Sequence, residues 1–155
     1  MIFCTAGTQA PFDRFLKMVD NIAPSLSEEV VIQVFRGKYN PKNVRRVDFL
    51  APDDFEHLFS RSRLIVAHAG MGTIVNAMFI GKPIVVVPRI AALGEHRNEH
   101  QLATVRRMEA LKYVYSAYDE QQLFHWMSVA DLPPLHVIGP YAQQSLIDEI
   151  RRVIG

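Results

Sequence analysis

A chain of 155 residues sets a prior of one domain, and 49% apolar residues is the share expected of a globular protein with one filled core. The formal net charge of +1 gives no basic excess for nucleic acid, and a single cysteine excludes an internal disulfide. No basic region precedes Ile2-Phe3-Cys4, so the start does not read as a signal peptide, and the longest apolar runs are strand-length, far short of the ~20 residues that span a bilayer. These features predict a soluble, cytoplasmic chain and leave attachment to a membrane through a partner open.

Short apolar, β-branched runs alternate with helix-period segments. Ile2 to Ala6 is the first predicted strand, and Cys4 within it reads as a small core residue rather than a nucleophile. A helix follows from Phe12 to Ile22, with Phe12, Phe15, Leu16 and Val19 on one face. Val30 to Phe35 is the second strand, and Val44 to Leu50 contains the third. Pro52 opens the next helix, Asp53 and Asp54 follow in its first turn, and Phe55, Leu58 and Phe59 form its stripe. Leu64 to Ala67 is the fourth strand and Thr73 to Ile80 a helix, which Gly81 stops and Pro83 keeps stopped. Ile84 to Val87 is the fifth strand, Asn98 to Leu111 a helix and Tyr113 to Tyr115 a short sixth strand. In a helix from Asp119 to Met127, Leu123, Trp126 and Met127 read as docking residues. Three prolines make Asp131 to Pro140 a loop, and Ala142 to Ile154 reads as a terminal helix with Leu146, Ile147, Ile150 and Val153 spaced to dock. Asp20 and Asp54 read as ordinary turn charges, and His57, His125 and His136 take no role.

The fourth and fifth strands are apolar throughout and do not alternate, as strands covered on both faces do in a parallel sheet. Strand–helix alternation then predicts an α/β, doubly wound, Rossmann-like domain. In the order 3-2-1-4-5-6, strands 1 and 4 are neighbours at the switch point, where the crevice opens. Both strands end in glycine turns, Gly7-Thr8-Gln9 after the first and His68-Ala69-Gly70-Met71-Gly72-Thr73 after the fourth. The second turn opens a helix, whose free amides suit a phosphate. Two such turns at one crevice point to a nucleoside-diphosphate ligand.

Taken in order, Gly7-Thr8-Gln9 with Pro11-Phe12-Asp13-Arg14, His68 to Thr73, Gly81-Lys82-Pro83 with Val87-Pro88, and Gly94 to Gln101 resemble the C-terminal, donor-binding half of family-28 glycosyltransferases. The likeness covers about residues 1 to 115. It is nearest to stand-alone small subunits, of the kind that build dolichol-linked oligosaccharide with N-acetylglucosamine or bacterial exopolysaccharide with glucuronate. The resemblance implies half of a GT-B fold. It implies a single nucleotide-sugar-binding domain over 1–155, and an acceptor-binding half supplied by a separate, membrane-associated polypeptide. It implies transfer from a UDP-sugar to a lipid-linked acceptor, with no required metal. In a lone subunit the segment 141–154 is the candidate for docking on the partner.

The resemblance also assigns residues. Gly70, Met71, Gly72 and Thr73 would hold the diphosphate, with Gly7, Thr8 and Gln9 as the facing wall. The position of Asn76 is usually acidic and accepts from ribose hydroxyls; asparagine keeps an acceptor and loses the charge. The competing reading of Asn76 is an exposed helix polar residue. His100 and Gln101 would meet the donor sugar's hydroxyls, beside Glu95 in the preceding loop. Arg89 or Arg97 would pair a uronate carboxylate in bidentate fashion, against a reading as phosphate contacts or solvated loop charges. The catalytic base is expected from the partner; His68, at the tip of the fourth strand, is either a turn-satisfying residue or a candidate base. His96, His100 and a carboxylate have the spacing for a metal, which GT-B enzymes generally do not require.

Two other readings compete with a catalytic subunit. One is a non-catalytic accessory chain with the same fold and poor nucleotide binding, supported by Asn76. The other is a flavodoxin-like or NAD-binding module, against which the first turn lacks the G-x-G-x-x-G pattern.

Overall fold

In a computed structural model, the described residues are 1–139, Gln144, Asp148 and 150–152. Six parallel strands lie in the order β3-β2-β1-β4-β5-β6. Their ranges are β1 Ile2–Thr5, β2 Val30–Gln33, β3 Arg45–Val47, β4 Leu64–His68, β5 Ile84–Val87 and β6 Tyr115–Ser116. The helices are α1 Asp13–Ile22, α2 Pro52–Arg61, α3 Met71–Ile80, α4 His100–Ala110 and α5 Glu120–Ser128. This is the doubly wound order expected, with the chain reversing direction of growth between β1 and β4.

Alternate residues of each central strand feed two separate cores. Cys4, Val66 and Val85 face one side, with Phe15, Leu16 and Val19 of α1 and Leu123 and Met127 of α5. Phe3, Ile65 and Val86 face the other, with Phe59 of α2, Ile74 and Met78 of α3 and Met108 of α4. Both faces of β1, β4 and β5 are therefore covered, which is why these strands carry no polar alternation. Cys4 is fully buried, and burial pushes its thiol pKa far up, so it has no thiolate to offer as a nucleophile. Trp126 is only partly buried and anchors α5 by donating its indole N–H to the Ser116 carbonyl at 2.9 Å. Ile150 is buried in the second core, whereas Leu146, Ile147 and Val153, and most of the segment 141–154, lie outside the described residues.

Several sequence expectations shift. The third helix begins at Met71 rather than Thr73, because Gly70 already takes the extended N-cap conformation and its carbonyl accepts from Ile74 at 3.2 Å. The sixth strand is Tyr115–Ser116, one residue further along than expected at its end. The fourth helix starts at His100, whose amide is capped by the Asn98 side chain at 2.9 Å.

Asp20 is a plain correction: it is no ordinary turn charge but a buried carboxylate, 3% exposed. It accepts from Tyr39 Oη at 2.6 Å and from the amides of Lys42 and Asn43 at 2.8 and 2.6 Å. Burial alone would raise its pKa; the hydrogen bonds from Tyr39, Asn43 and Lys42 outweigh that and hold it below the ordinary carboxylate value. The side chain pins the β2–β3 connection against α1.

Candidate functional site

The carboxyl ends of β1 and β4 are adjacent, with Thr5 in register with Ala67. The loops that leave them bound a cavity of about 660 Å³, within the range of small-molecule sites. Its walls are Gly7, Thr8 and Gln9 after β1, His68 and Gly70 to Thr73 after β4, and Gln101 at the start of α4. Thr5 and Gln33 form a floor, the threonine hydroxyl donating to Gln33 Oε1 at 2.9 Å. Phe49, Leu50, Pro52, Phe55 and Glu56 complete it from the β3–α2 side.

The amides of Met71, Gly72 and Thr73 precede the first intrahelical bond of α3, so they belong to the unpaired first turn and carry the positive end of the helix dipole. Gly72 has open space where a side chain would stand, so no other part of the chain packs against that side of the turn.

His68 joins the two glycine turns. A Cβ on Gly7 would lie 2.5 Å from its Cε1, and one on Gly70 would lie 2.7 Å from the same atom. Gly7 is also at φ +75°, a conformation side chains disfavour. The imidazole thus fills the space between the turns, and only glycine leaves room for it. Burial, then the nearby Arg89 guanidinium, lower its pKa to about 4, with a main-chain group of Thr5 pulling weakly the other way. The ring is neutral at pH 7, and its Nδ1 is buried without a hydrogen-bond partner. A neutral ring wedged under two loops suits a spacer better than a base for an acceptor hydroxyl.

Arg89 is 3% exposed and spends its guanidinium on the chain itself. It donates to the carbonyls of Ala6 and Ala10, both at 2.8 Å, and of Pro11 at 2.6 Å, and it stacks on the Phe12 ring. These bonds fix the loop that carries Gly7 to Gln9. Arg89 does not line the cavity, and three of its five N–H donors go to the chain itself, so the structure gives it a loop-holding role beside the expected ligand contact. Its backbone amide donates to Gln101 Oε1 at 3.1 Å, which turns the Gln101 amide nitrogen free for other partners.

Glu95 is likewise a structural tie. Arg14 of α1 donates to both its oxygens, at 2.7 and 3.0 Å, and the Ile90 amide donates to Oε2 at 2.9 Å. Arg97 and His100 are exposed and do not line the cavity; nor does Asn76, which donates to Glu56 Oε1 at 3.2 Å. Among the described residues no group of three or more His, Cys, Asp or Glu is placed to share a metal ion.

Sequence reasoning missed Thr5, Gln33 and the β3–α2 contribution. The strand order held the signal: with strands 2 and 3 beside strand 1, their carboxyl ends had to border the same crevice.

The fold and the crevice define a Rossmann-like α/β domain with a ligand-sized cleft at its switch point, and the sequence match is direct. Residues 1–139 match the glycosyltransferase family 28 C-terminal domain, and the chain belongs to that family. Among individual proteins, it is 28% identical over 112 residues to the UDP-N-acetylglucosamine transferase subunit ALG13 of Yarrowia lipolytica, covering 64% of this chain and 57% of that protein. It is 28% identical over 107 residues to the mouse subunit of the same name, covering 63% of this chain but 9% of that protein. The chain thus spans about half or much less of the length of these relatives.

Among solved structures, an NMR structure of ALG13 aligns at a TM-score of 0.62 and 17% identity, covering 96% of this chain and 93% of that one. The glycosyltransferase SnogD of Streptomyces nogalater aligns at 0.51 and 19% identity, with 99% of this chain on 37% of that one. These likenesses speak for the fold: this chain is a Rossmann-like unit equivalent to one half of a GT-B architecture. Among the described residues no helix is long and apolar enough to cross a membrane.

Proposed function

We propose that this chain is the donor-binding subunit of a two-component inverting glycosyltransferase. It takes a UDP-sugar, N-acetylglucosamine or glucuronate or a close relative, and the sugar passes to a lipid-linked acceptor in glycolipid or polysaccharide synthesis. A membrane-associated partner supplies the acceptor site and the general base, and holds the chain at the cytoplasmic face of the membrane. The observation that supports this most is the pairing of two glycine turns across His68, beside the unpaired amides of α3. The name of the relatives, a transferase subunit, supports a partner.

In this reading the diphosphate lies against Met71, Gly72 and Thr73. The acceptor hydroxyl displaces UDP at the anomeric carbon in one step. Charge develops on the departing phosphate oxygen, and fixed main-chain dipoles are already aimed at it, the kind of preorganised electrostatics that lowers such barriers. No lysine or arginine is among the described residues lining the cavity, so amides rather than side-chain cations carry the anion. Gln101, with its oxygen held by the Arg89 amide, offers its nitrogen to a sugar hydroxyl. Neither Arg89 nor Arg97 lines the cavity, so a uronate carboxylate would have to project out of the cleft toward Arg97 on the exposed loop before α4.

The second reading, a non-catalytic subunit with poor nucleotide binding, rests on Asn76. Thermal unfolding with UDP, UDP-N-acetylglucosamine, UDP-glucuronate, NAD and FMN separates the two. A ligand at about 100 times its Kd should add roughly 2.7 kcal/mol of stability. Stabilisation by the uridine ligands alone is the expected result. Stabilisation by none of them favours the accessory subunit.

A further inference from the structure

Gln101 lines the cavity with an amide whose two ends have different duties. Its Oε1 accepts from the Arg89 main-chain N–H at 3.1 Å, and a main-chain N–H can only donate. The nitrogen is the end left over, so toward a ligand Gln101 is a donor and not an acceptor. That polarity depends on the orientation of one peptide unit, the bond between Pro88 and Arg89 just beyond β5. A flip of that unit would turn a carbonyl toward Gln101. The amide would then reverse and show the ligand its oxygen.

The same peptide unit is gripped from its opposite edge. In a trans peptide the C=O and N–H point in opposite directions. The Pro88 carbonyl accepts from Arg14 Nη2 of α1 at 2.8 Å. Arg14 also holds both oxygens of Glu95, and Glu95 Oε2 accepts from the Ile90 amide at 2.9 Å. The ion pair therefore fixes two consecutive peptide units, 88–89 and 89–90. Its side chains are only 23% and 12% exposed, where salt and water screen it less than a surface pair. The Arg14 guanidinium also lies over the Phe12 ring, which limits its swing. Neither Arg14 nor Glu95 lines the cavity. Whatever they do for a ligand there, they do through Gln101.

We infer that the Arg14–Glu95 pair positions Gln101 for the donor sugar. By locking the turn after β5 it keeps the Gln101 amide nitrogen facing the cleft. The subsite then selects a sugar that presents an acceptor oxygen: a hydroxyl, an N-acetyl carbonyl or a carboxylate. The inference rests on the nucleotide-sugar reading above and adds to it two positioning residues outside the cavity.

The test is calorimetric titration of the full chain with UDP and with UDP-N-acetylglucosamine or UDP-glucuronate, whichever the wild type binds tighter. Gln101→Ala should weaken the sugar nucleotide about tenfold and UDP by less than about twofold. Arg14→Met should weaken the sugar nucleotide about fivefold, again with UDP within about twofold, which also shows that the variant is folded. Added to Gln101→Ala, Arg14→Met should cost nothing further, because the side chain it acts through is gone. Arg14→Lys keeps the charge and should recover part of the loss. Equal weakening of UDP and the sugar nucleotide in Arg14→Met overturns the inference, since that marks a tie that only holds the fold. Additive losses in the double mutant overturn it too, as does an unchanged sugar-nucleotide affinity in either single mutant. In all those cases the wild type still binds UDP and the nucleotide reading stands. Failure of the wild type to bind UDP or either sugar nucleotide overturns that reading, and this inference with it.

Discussion

Gly7 and Gly70 differ from Gly72, although all three belong to the turns that line one crevice. A side chain at either of the first two would collide with the His68 ring; a side chain at Gly72 would meet nothing. The first pair is therefore required by the protein's own packing. Packing does not require Gly72, and the proposed donor, approaching from outside, is what would. One glycine-rich sequence thus contains one constraint set by folding and, on the proposed function, a second set by the ligand.

Several measurements would break or sharpen this contrast. Arg89→Met should have the largest effect, because it removes a buried side chain and strands three carbonyls of the Gly7 loop, that of Ala6 fully buried; a loss of about 3–5 kcal/mol in urea unfolding is expected. A loss below 1 kcal/mol would show that the loop does not depend on its buried cation. Next comes pH. His68 has a folded pKa of about 4 against an ordinary 6.5, so between those values the unfolded chain binds the extra proton. Its contribution is full above pH 6.5 and is lost as pH falls toward 4, on the order of 3 kcal/mol in all. Urea unfolding of wild type and His68→Asn from pH 7.5 to 4.5 measures this, and the variant should show a flatter slope over that window. Asp20, held below the ordinary carboxylate value, adds a loss at still lower pH that both proteins share.

Gly7→Ala and Gly70→Ala should then cost about 1–3 kcal/mol each through overpacking against the ring. A cavity-making partner substitution, His68→Ala, should recover part of that in the double mutant, more at Gly70 than at Gly7, where the backbone conformation still objects. The smallest effect on stability belongs to Gly72→Ala, which should be neutral or stabilise by under about 1 kcal/mol, since alanine favours a helix over glycine. The same variant should weaken UDP binding. Unchanged UDP affinity in Gly72→Ala would remove the ligand from this turn and leave the contrast without its second half.

The architecture was readable because its cause is local. Unbroken apolar runs at Leu64–Ala67 and Ile84–Val87 say that both faces are covered, and strand–helix alternation then leaves few topologies. The start of α3 was harder, because Gly70-Met71-Gly72 reads as a turn. A helix's first residues need no intrahelical amide bond, so glycine there is tolerated and the helix begins two residues early. The burial of Arg89 and Asp20 was not legible. Each is hydrogen-bonded by neutral groups from segments distant in sequence, carbonyls for Arg89 and amides with the Tyr39 hydroxyl for Asp20, and composition gives a charged residue no mark of such partners. Glu56 escaped for another reason: it lies outside every glycine motif, on a helix whose stripe explained its other residues. Its neighbour Asn76 drew attention for the charge it lacks, and it donates to Glu56 across the gap between α3 and α2.

The shared histidine has a consequence for how this crevice can vary. The gap between its two walls is set by the thickness of one five-membered ring, so positions 7, 68 and 70 form a single steric unit. A chain that keeps an aromatic ring at 68 is bound to keep both small neighbours. A chain that replaces it with alanine or serine gains freedom at both sites at once, and the width of its mouth is then set by whatever fills them.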